Sequence, residues 1–352
     1  VCTIEVVVQI TRNPEFLPNI SGMSDQITTL HCKNVAEAAS MLQQGRLVAF
    51  PTETVYGLGA NAKNPAAVAR IFEAKQRPTF DPLIVHVANV AAARALTLDF
   101  PDIAATLAAA FWPGPLTIVL PKRAEIPDLV TSGLPGVGIR VPHHPVAQQL
   151  LAEVGCPLAA PSANPFGGIS PTTAEHVQQG LGGRIDGILD GGSCGVGVES
   201  TVISLMTEHP TILRPGGLPR EDIEAVIGPV RLASSDPTQD NAAQPAPGML
   251  SRHYAPTTPL RLISQQQTAT PAAGKASGLL SYGAVNHVEG FARVVCLSDS
   301  GNLRTCATNF FAALRSLDAA GLDVIIARSF PDEGLGVALN DRLRRAASEW
   351  QF

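Results

Sequence analysis

Apolar and polar positions along this chain switch between two rhythms. Residues 34–45 place Val35, Ala38, Ala39 and Leu42 on one face, with Asn34 as cap, Glu37 completing a capping box and Gly45 as the stop, which predicts a helix. Asn64-Pro65 opens a second helix with Val68, Ile71 and Phe72 inward, and Pro78 forbids its continuation. Further helices are expected near 89–96 and 101–111. Between them stand short apolar runs that read as buried strands: 47–50, 83–87, 116–120, 137–141, 157–160, 185–189 and 201–205. Strands interleaved with helices predict an α/β or α+β domain over about residues 25–230.

The rhythm breaks at 233–248, ASSDPTQDNAAQPAPG, a polar stretch without periodicity that marks a linker. Beyond it, apolar runs at 260–263, 278–283, 293–297 and 323–330 accompany helical patterns at about 304–320 and 338–347. These predict a second, smaller α/β unit. The expected division is a main unit at 23–230, a linker or lid at 231–258 and a C-terminal unit at 259–352. Residues 1–22 lack the basic segment of a signal peptide and read as an extension without a functional role.

With 45% apolar and 16% charged residues in 352, the chain is globular rather than disordered. No apolar run reaches the length of a membrane span, and a cytoplasmic location is expected. The net charge of −5 counts against a broad nucleic-acid surface, though not against a local basic pocket. Six scattered cysteines without a Cys-x-x-Cys pair predict incidental thiols rather than disulfides or a metal site.

Candidate chemistry gathers where strands end. In 48–59, VAFPTETVYGLG, a strand stops at Pro51, and Thr52, Glu53, Thr54 and Tyr56 follow before Gly57 and Gly59, glycines that let backbone approach a ligand. Lys75 and Arg77 close the second helix, either complementing its dipole or clamping a phosphate or carboxylate. Asp81 precedes the next strand, and His86 lies within it as a core residue or a functional one. Arg140 interrupts an apolar strand, where a buried guanidinium needs an anion, from a ligand or from a structural Asp or Glu. Residues 160–172, APSANPFGGISPT, offer Ser162, Asn164 and Ser170 on a loop suited to binding a nucleotide or simply to turning. Glu199, Ser200 and Thr201 stand at the mouth of one strand and Arg214 at the end of another. No P-loop, complete Gly-x-Gly-x-x-Gly fingerprint, His-Glu-x-x-His helix or Gly-x-Ser-x-Gly elbow occurs. What remains is polar and cationic without a clear nucleophile, suited to positioning and charge stabilisation as in nucleotidyl transfer.

Together these segments resemble the YrdC-like family, and specifically its long, two-domain threonylcarbamoyl-AMP synthases. The motifs that carry the resemblance are PTETVYGLGANA (51–62), AKQRPTFDPLIVHV (74–87), WPGPLTIVL (112–120), GIRVPHHP (138–145), APSANPFGGISPT (160–172), GVESTVI (197–203) and LRPG (213–216). It continues through PGMLSRHYAPTTPL (247–260) and GLGVALNDRLRRA (334–346). The resemblance implies a twisted mixed sheet with helices around a large open cavity, plus a smaller Rossmann-like C-terminal domain. It implies L-threonine, bicarbonate and ATP as substrates, and threonylcarbamoyl-AMP and pyrophosphate as products. A separate transferase would carry the product to tRNA, with a weak tRNA contact by this chain.

By motif, Lys75 and Arg77 would be catalytic and neutralise the ATP phosphates, while Thr54, His86, Arg140, Ala160 and Ser200 would hold threonine, Arg140 taking its carboxylate. Asp81, Gly136, Ser162, Asn164, Ser170, Arg214, His253 and Tyr254 would attend the nucleotide, Asp81 standing where related sequences often carry Asn. Mg²⁺ would travel with ATP, with no metal site of the protein's own and no organic cofactor, and segment 253–256 would lie over the cavity as a lid. The alternatives are a carbamoyl-adenylate-forming carbamoyltransferase and a non-catalytic RNA-binding module. The chain lacks the extra domains of the former, and its acidic balance and few aromatics count against the latter.

Overall fold

The computed structural model of the chain describes residues 27–233, 247, 253–285 and 288–347; the expected extension at 1–22 and much of the 231–258 linker lie outside them. Helix α1 (Val35–Gln43) starts where Asn34 accepts the Glu37 N–H at 2.9 Å, and Gly45 closes it at φ 76°. Its capping box is displaced by one residue, because Glu37 Oε2 accepts the N–H of Lys33, not that of Asn34. Helix α2 (Pro65–Lys75) is capped by Asn64, which accepts from Ala66 and Ala67, and ends at Gln76 in the left-handed region.

Eleven strands form one mixed sheet. In spatial order they are β1 (Leu30–His31), β8 (Gly187–Ile188), β2 (Val48–Phe50), β3 (Gly57–Asn61), β7 (Leu158–Ala159), β4 (Ile84–His86), β6 (Gly136–Arg140), β5 (Leu116–Pro121), β9 (Thr201–Ser204), β10 (Thr211–Arg214) and β11 (Arg231–Leu232). One expectation holds for only one of the two glycines of β3, since Gly57 borders the cavity described below. The glycines at 57 and 59 belong to an antiparallel strand paired with β2, Val48 opposite Gly59. A Cβ on Gly59 would lie 2.9 Å from the Phe50 ring, so that glycine makes room for core packing and not for a ligand.

Helices cover both faces of the sheet. Ala49 points to a core shared with α2 and with α4 (Asp102–Phe111), while Val48 and Phe50 point to α1 and α6 (Pro145–Val154). Helix α3 (Val90–Ala95) appears where expected; α5 (Asp128–Thr131), α6, α7 (Ala174–Leu181) and α8 (Arg220–Ile227) add to the expected set.

The C-terminal unit is a wholly parallel sheet in the order β12 (Leu260–Ile263), β15 (Val324–Arg328), β13 (Ser277–Ser281), β14 (Arg293–Cys296). Helices α9 (Leu303–Asp318) and α10 (Leu335–Ala347) cover one face, burying Phe310, Phe311, Leu339 and Leu343 against Leu260, Leu280 and Ile325. The same cluster takes in Val55, Ile169, Val198 and Tyr254, so the two units share a core. Gly197, at φ 80°, allows the contact: a Cβ there would collide with the α9 backbone at Ala307 and Thr308. The fold is α/β, a helix-flanked mixed sheet joined to a Rossmann-like unit. Among the described residues no helix is long and apolar enough to cross a membrane.

Candidate active site

The turn after β2, the ends of β4, β6 and β10, the start of β9 and the 160–172 loop converge on one cavity. Arg140, at the end of β6, is 3% exposed, and its burial demands the partners it has. Its Nη2 lies 2.7 Å from Glu53 Oε1, Nη1 donates to Thr54 Oγ1 at 2.9 Å and Nε donates to Gly114 O. The anion that this strand arginine requires is therefore supplied in part by Glu53. Burial raises the pKa of Glu53, but attraction to Arg140 outweighs it and holds the carboxyl below the usual range. Thr52 Oγ1 accepts the Val55 N–H and shares a hydrogen bond with Thr54 Oγ1, which fixes the turn. Across from it His86 is buried edge-on to Phe50, and burial, with Arg140 adding, pushes its pKa down to about 3. The imidazole is neutral, and its Nδ1 has no hydrogen-bond partner among the described residues.

A second group of cations faces this one. Lys75, in the last turn of α2, is 1% exposed, and its Nζ donates to Ser162 O and Asn164 O, both at 2.5 Å. Burial, then repulsion from Arg77, drives its pKa well below the lysine value, with Asp81 opposing. Arg77 Nη2 pairs with Asp81 Oδ2 at 2.8 Å and also donates to Pro82 O. Arg214 donates through Nε and Nη2 to Ser200 O and through Nη1 to Pro247 O. Asn164 Nδ2 binds Pro165 O and Gly168 O, which braces the loop.

The other unit stands directly behind one wall. Ser170 Oγ donates to Glu199 Oε1 at 2.6 Å, and Glu199 Oε2 accepts from Arg342 Nε of α10 at 3.1 Å. Arg342 is fully buried, also donates to Pro215 O, and lies 5.2 Å from the centre of the Tyr254 ring. His253 and Tyr254 enter the cavity and leave about 50 Å³ of it open. Tyr254 sits at φ 64° and stacks on Phe311 of α9. Burial, followed by Arg77, Lys75, Arg214 and Arg342, keeps the pKa of His253 well below its ordinary value.

Of the residues singled out from sequence, Thr54, His86, Arg140, Ala160 and Ser200 line this cavity together. So do Arg77, Ser162, Arg214, His253 and Tyr254. Lys75, Asp81 and Ser170 stand directly behind, each bonded to a lining residue, and Asn164 joins them through Lys75. Gly136 is not brought there; it opens β6 and lines a smaller neighbouring cavity, where a Cβ would crowd Met206 and Val119. Thr52, named from sequence, is in the wall as well, whereas Val55, Ile84 and Pro161 in the wall, and Arg342 behind it, were not singled out. Arg342 had a signal: it interrupts the apolar stripe of Leu335, Leu339 and Leu343 on α10. Among the described residues no group of three His, Cys, Asp or Glu side chains could hold a metal ion.

Residues 40–216 match a family profile shared by Sua5, YciO and YrdC and described as telomere recombination; residues 218–348 match one described as threonylcarbamoyl-AMP synthase, C-terminal domain. The chain is 46% identical over 337 residues to the threonylcarbamoyl-AMP synthase of Bacillus subtilis, spanning 92% of this chain and 96% of the relative. It is 38% identical over 346 residues to that of Schizosaccharomyces pombe, spanning 86% and 85%. The crystal structure of P. abyssi Sua5 complexed with L-threonine superposes with a TM-score of 0.82 at 42% identity, over 91% of this chain and 97% of that one.

Proposed function

The chain belongs to the Sua5/YrdC-like family of threonylcarbamoyl-AMP synthases, and on that premise we propose that it makes threonylcarbamoyl-AMP and pyrophosphate from L-threonine, bicarbonate (or CO₂) and ATP. The product would feed threonylcarbamoyladenosine formation in tRNA through a separate transferase in the cytoplasm. The observation that carries this reading is one cavity edged by Arg77, Arg140 and Arg214 and backed by Lys75, with Glu53 fixing Arg140 and Asp81 fixing Arg77.

The chemistry joins two anions. The amine of threonine adds to CO₂, losing a proton, to give a carbamate. A carbamate oxygen then attacks the α-phosphorus of ATP while the bond to the bridging oxygen breaks, and pyrophosphate leaves with that electron pair. Two negative partners approach only where fixed positive charge offsets their repulsion. Arg140 would take the threonine carboxylate through the donor hydrogens that Glu53 and Thr54 leave free, with neutral His86 and the Ser200 hydroxyl orienting the substrate. Lys75 and Arg77 would face the phosphates; an arriving anion restores the charge that burial disfavours on Lys75. Ser162, Asn164, Ser170 and Arg214 would hold the nucleotide. Mg²⁺ would arrive bound to its phosphates. His253 and Tyr254 would give way to ATP and then close over the labile adenylate, excluding water.

The test is pyrophosphate release from ATP. It is expected to require both threonine and bicarbonate. Release driven by carbamoyl phosphate without threonine would instead establish a carbamoyltransferase.

A further inference from the structure

Two larger clefts, of about 400 and 300 Å³, open at the carboxyl edge of the C-terminal sheet. Their place follows from topology. Strands β12 and β15 are parallel, hydrogen-bonded neighbours, yet the chain leaves them on opposite faces. After β12, Ala269 packs with Ile263, Leu279 and Ile326; after β15, helix α10 packs Leu339 and Leu343 on the face of Leu260 and Ile325. Adjacent parallel strands whose connections diverge this way open a crevice beyond their carboxyl ends, the usual ligand seat of an open α/β sheet. A volume of about 400 Å³ falls in the range of small-molecule pockets.

The lining has a definite chemistry. The larger cleft is bordered by Leu262, Ile263 and Phe330, of which Leu262 is the part-exposed one, with the hydroxyl-bearing residues Ser264 and Ser329 beside them. At its rim Arg344 is more than half exposed and only 3.7 Å-paired to Asp332. The smaller cleft contains Arg328, whose Nη2 donates to Gln267 O at a long 3.4 Å and whose buried Nε has no hydrogen-bond partner among the described residues. Gln265 borders both clefts. An under-bonded, half-buried guanidinium favours an anion, and an apolar side chain with hydroxyls beside it suits the base and sugar of a nucleotide.

We propose that this edge is a second small-molecule site, separate from the cavity that makes the adenylate, and that it takes a nucleoside monophosphate. The base lies against the part-exposed Leu262, the sugar meets Ser264 and Ser329, and the phosphate is held by Arg328.

Equilibrium dialysis of the full chain with labelled AMP tests this. R328Q and the cleft-filling S329F should each remove one equivalent of bound AMP per chain, or weaken it at least about tenfold, whatever the catalytic cavity retains. Thermal melts confirm that each variant is folded, and the mild R328Q serves if S329F is not. Adenosine should not occupy this site. AMP binding unchanged in R328Q, or adenosine bound as well as AMP, overturns the proposal. Threonine-dependent pyrophosphate release is measured alongside and should stay at the wild-type rate in R328Q, so a failure of this site is distinguishable from a failure of the proposed activity.

Discussion

Two of the arginines that end strands in this chain meet opposite circumstances. Arg140, closing β6, is 3% exposed and bound by Glu53, Thr54 and Gly114. Arg328, closing β15, is half-buried and holds one long hydrogen bond through Nη2. The first belongs to a site whose charges are paired and fixed before any ligand arrives, which is how preorganised electrostatics avoids reorganisation during reaction. The second borders open clefts where the protein has spent little on fixing polar groups. The difference teaches that a cation in the adenylate cavity is over-determined by its own protein, whereas one at an open edge keeps donors to spare. Arg342 links the regions, since it grows from the C-terminal unit and ends against Glu199.

The largest expected effect comes from breaking that link. Arg342→Met leaves the Glu199 carboxylate without its cation and should cost about 3–5 kcal/mol of stability, read by chemical denaturation. Adding Glu199→Gln should return much of the loss; a double variant as unstable as the single would show that the ion pair is not the cause. Next come Lys75→Ala and Arg77→Ala, expected to slow pyrophosphate release on the order of a hundredfold or more each. Wild-type turnover in both would make them ordinary helix-end cations. Arg140→Ala should weaken threonine by about 1.5–3 kcal/mol with ATP affinity nearly intact. Calorimetry with each ligand separates these, and an equal loss for both would mean that Arg140 matters through Glu53 and the turn.

The smallest effect, taken per pH unit, is a slope. His86 has a pKa of about 3 when folded and 6.5 when exposed, so between those values the unfolded chain binds more protons. Stability from this group is complete above pH 6.5 and is lost as pH falls toward about 3, by up to about 1.4 kcal/mol per unit. His86→Gln should flatten the acid limb of the melting-temperature profile. An unchanged limb would mean that other groups, His253 among them, dominate it.

What could be read from sequence was what is locally encoded. Asn34 and Asn64 announce helices because their side chains cap the backbone a few residues on. Helix α6 carries similar marks, Pro145 at its first turn, the stripe Ala147, Leu150, Leu151, Val154 and then Gly155. Strand β3 was not legible, because GLGAN has no strand propensity and exists by pairing with β2 and yielding to Phe50. In the site, Arg140 signalled its need for an anion, but nothing in the spacing distinguished Glu53 from a ligand. The coupling of Arg342 to Glu199 spans 143 positions, a distance over which no periodicity reports.

Gly197 gives the molecule an unobtrusive point of failure. It binds no substrate by any reading above, and a survey of active-site positions would pass over it. Yet it is where the backbone of α9 rests on the segment leading to Glu199, with no room for a methyl group. A single-nucleotide change from glycine to alanine or serine there would look conservative in an alignment. Physically it would wedge the halves apart, drawing Tyr254 and Arg342 away from their seats while every residue of the catalytic cavity kept its identity. Loss of function in such an allele would be traced to assembly of the chain and not to its chemistry.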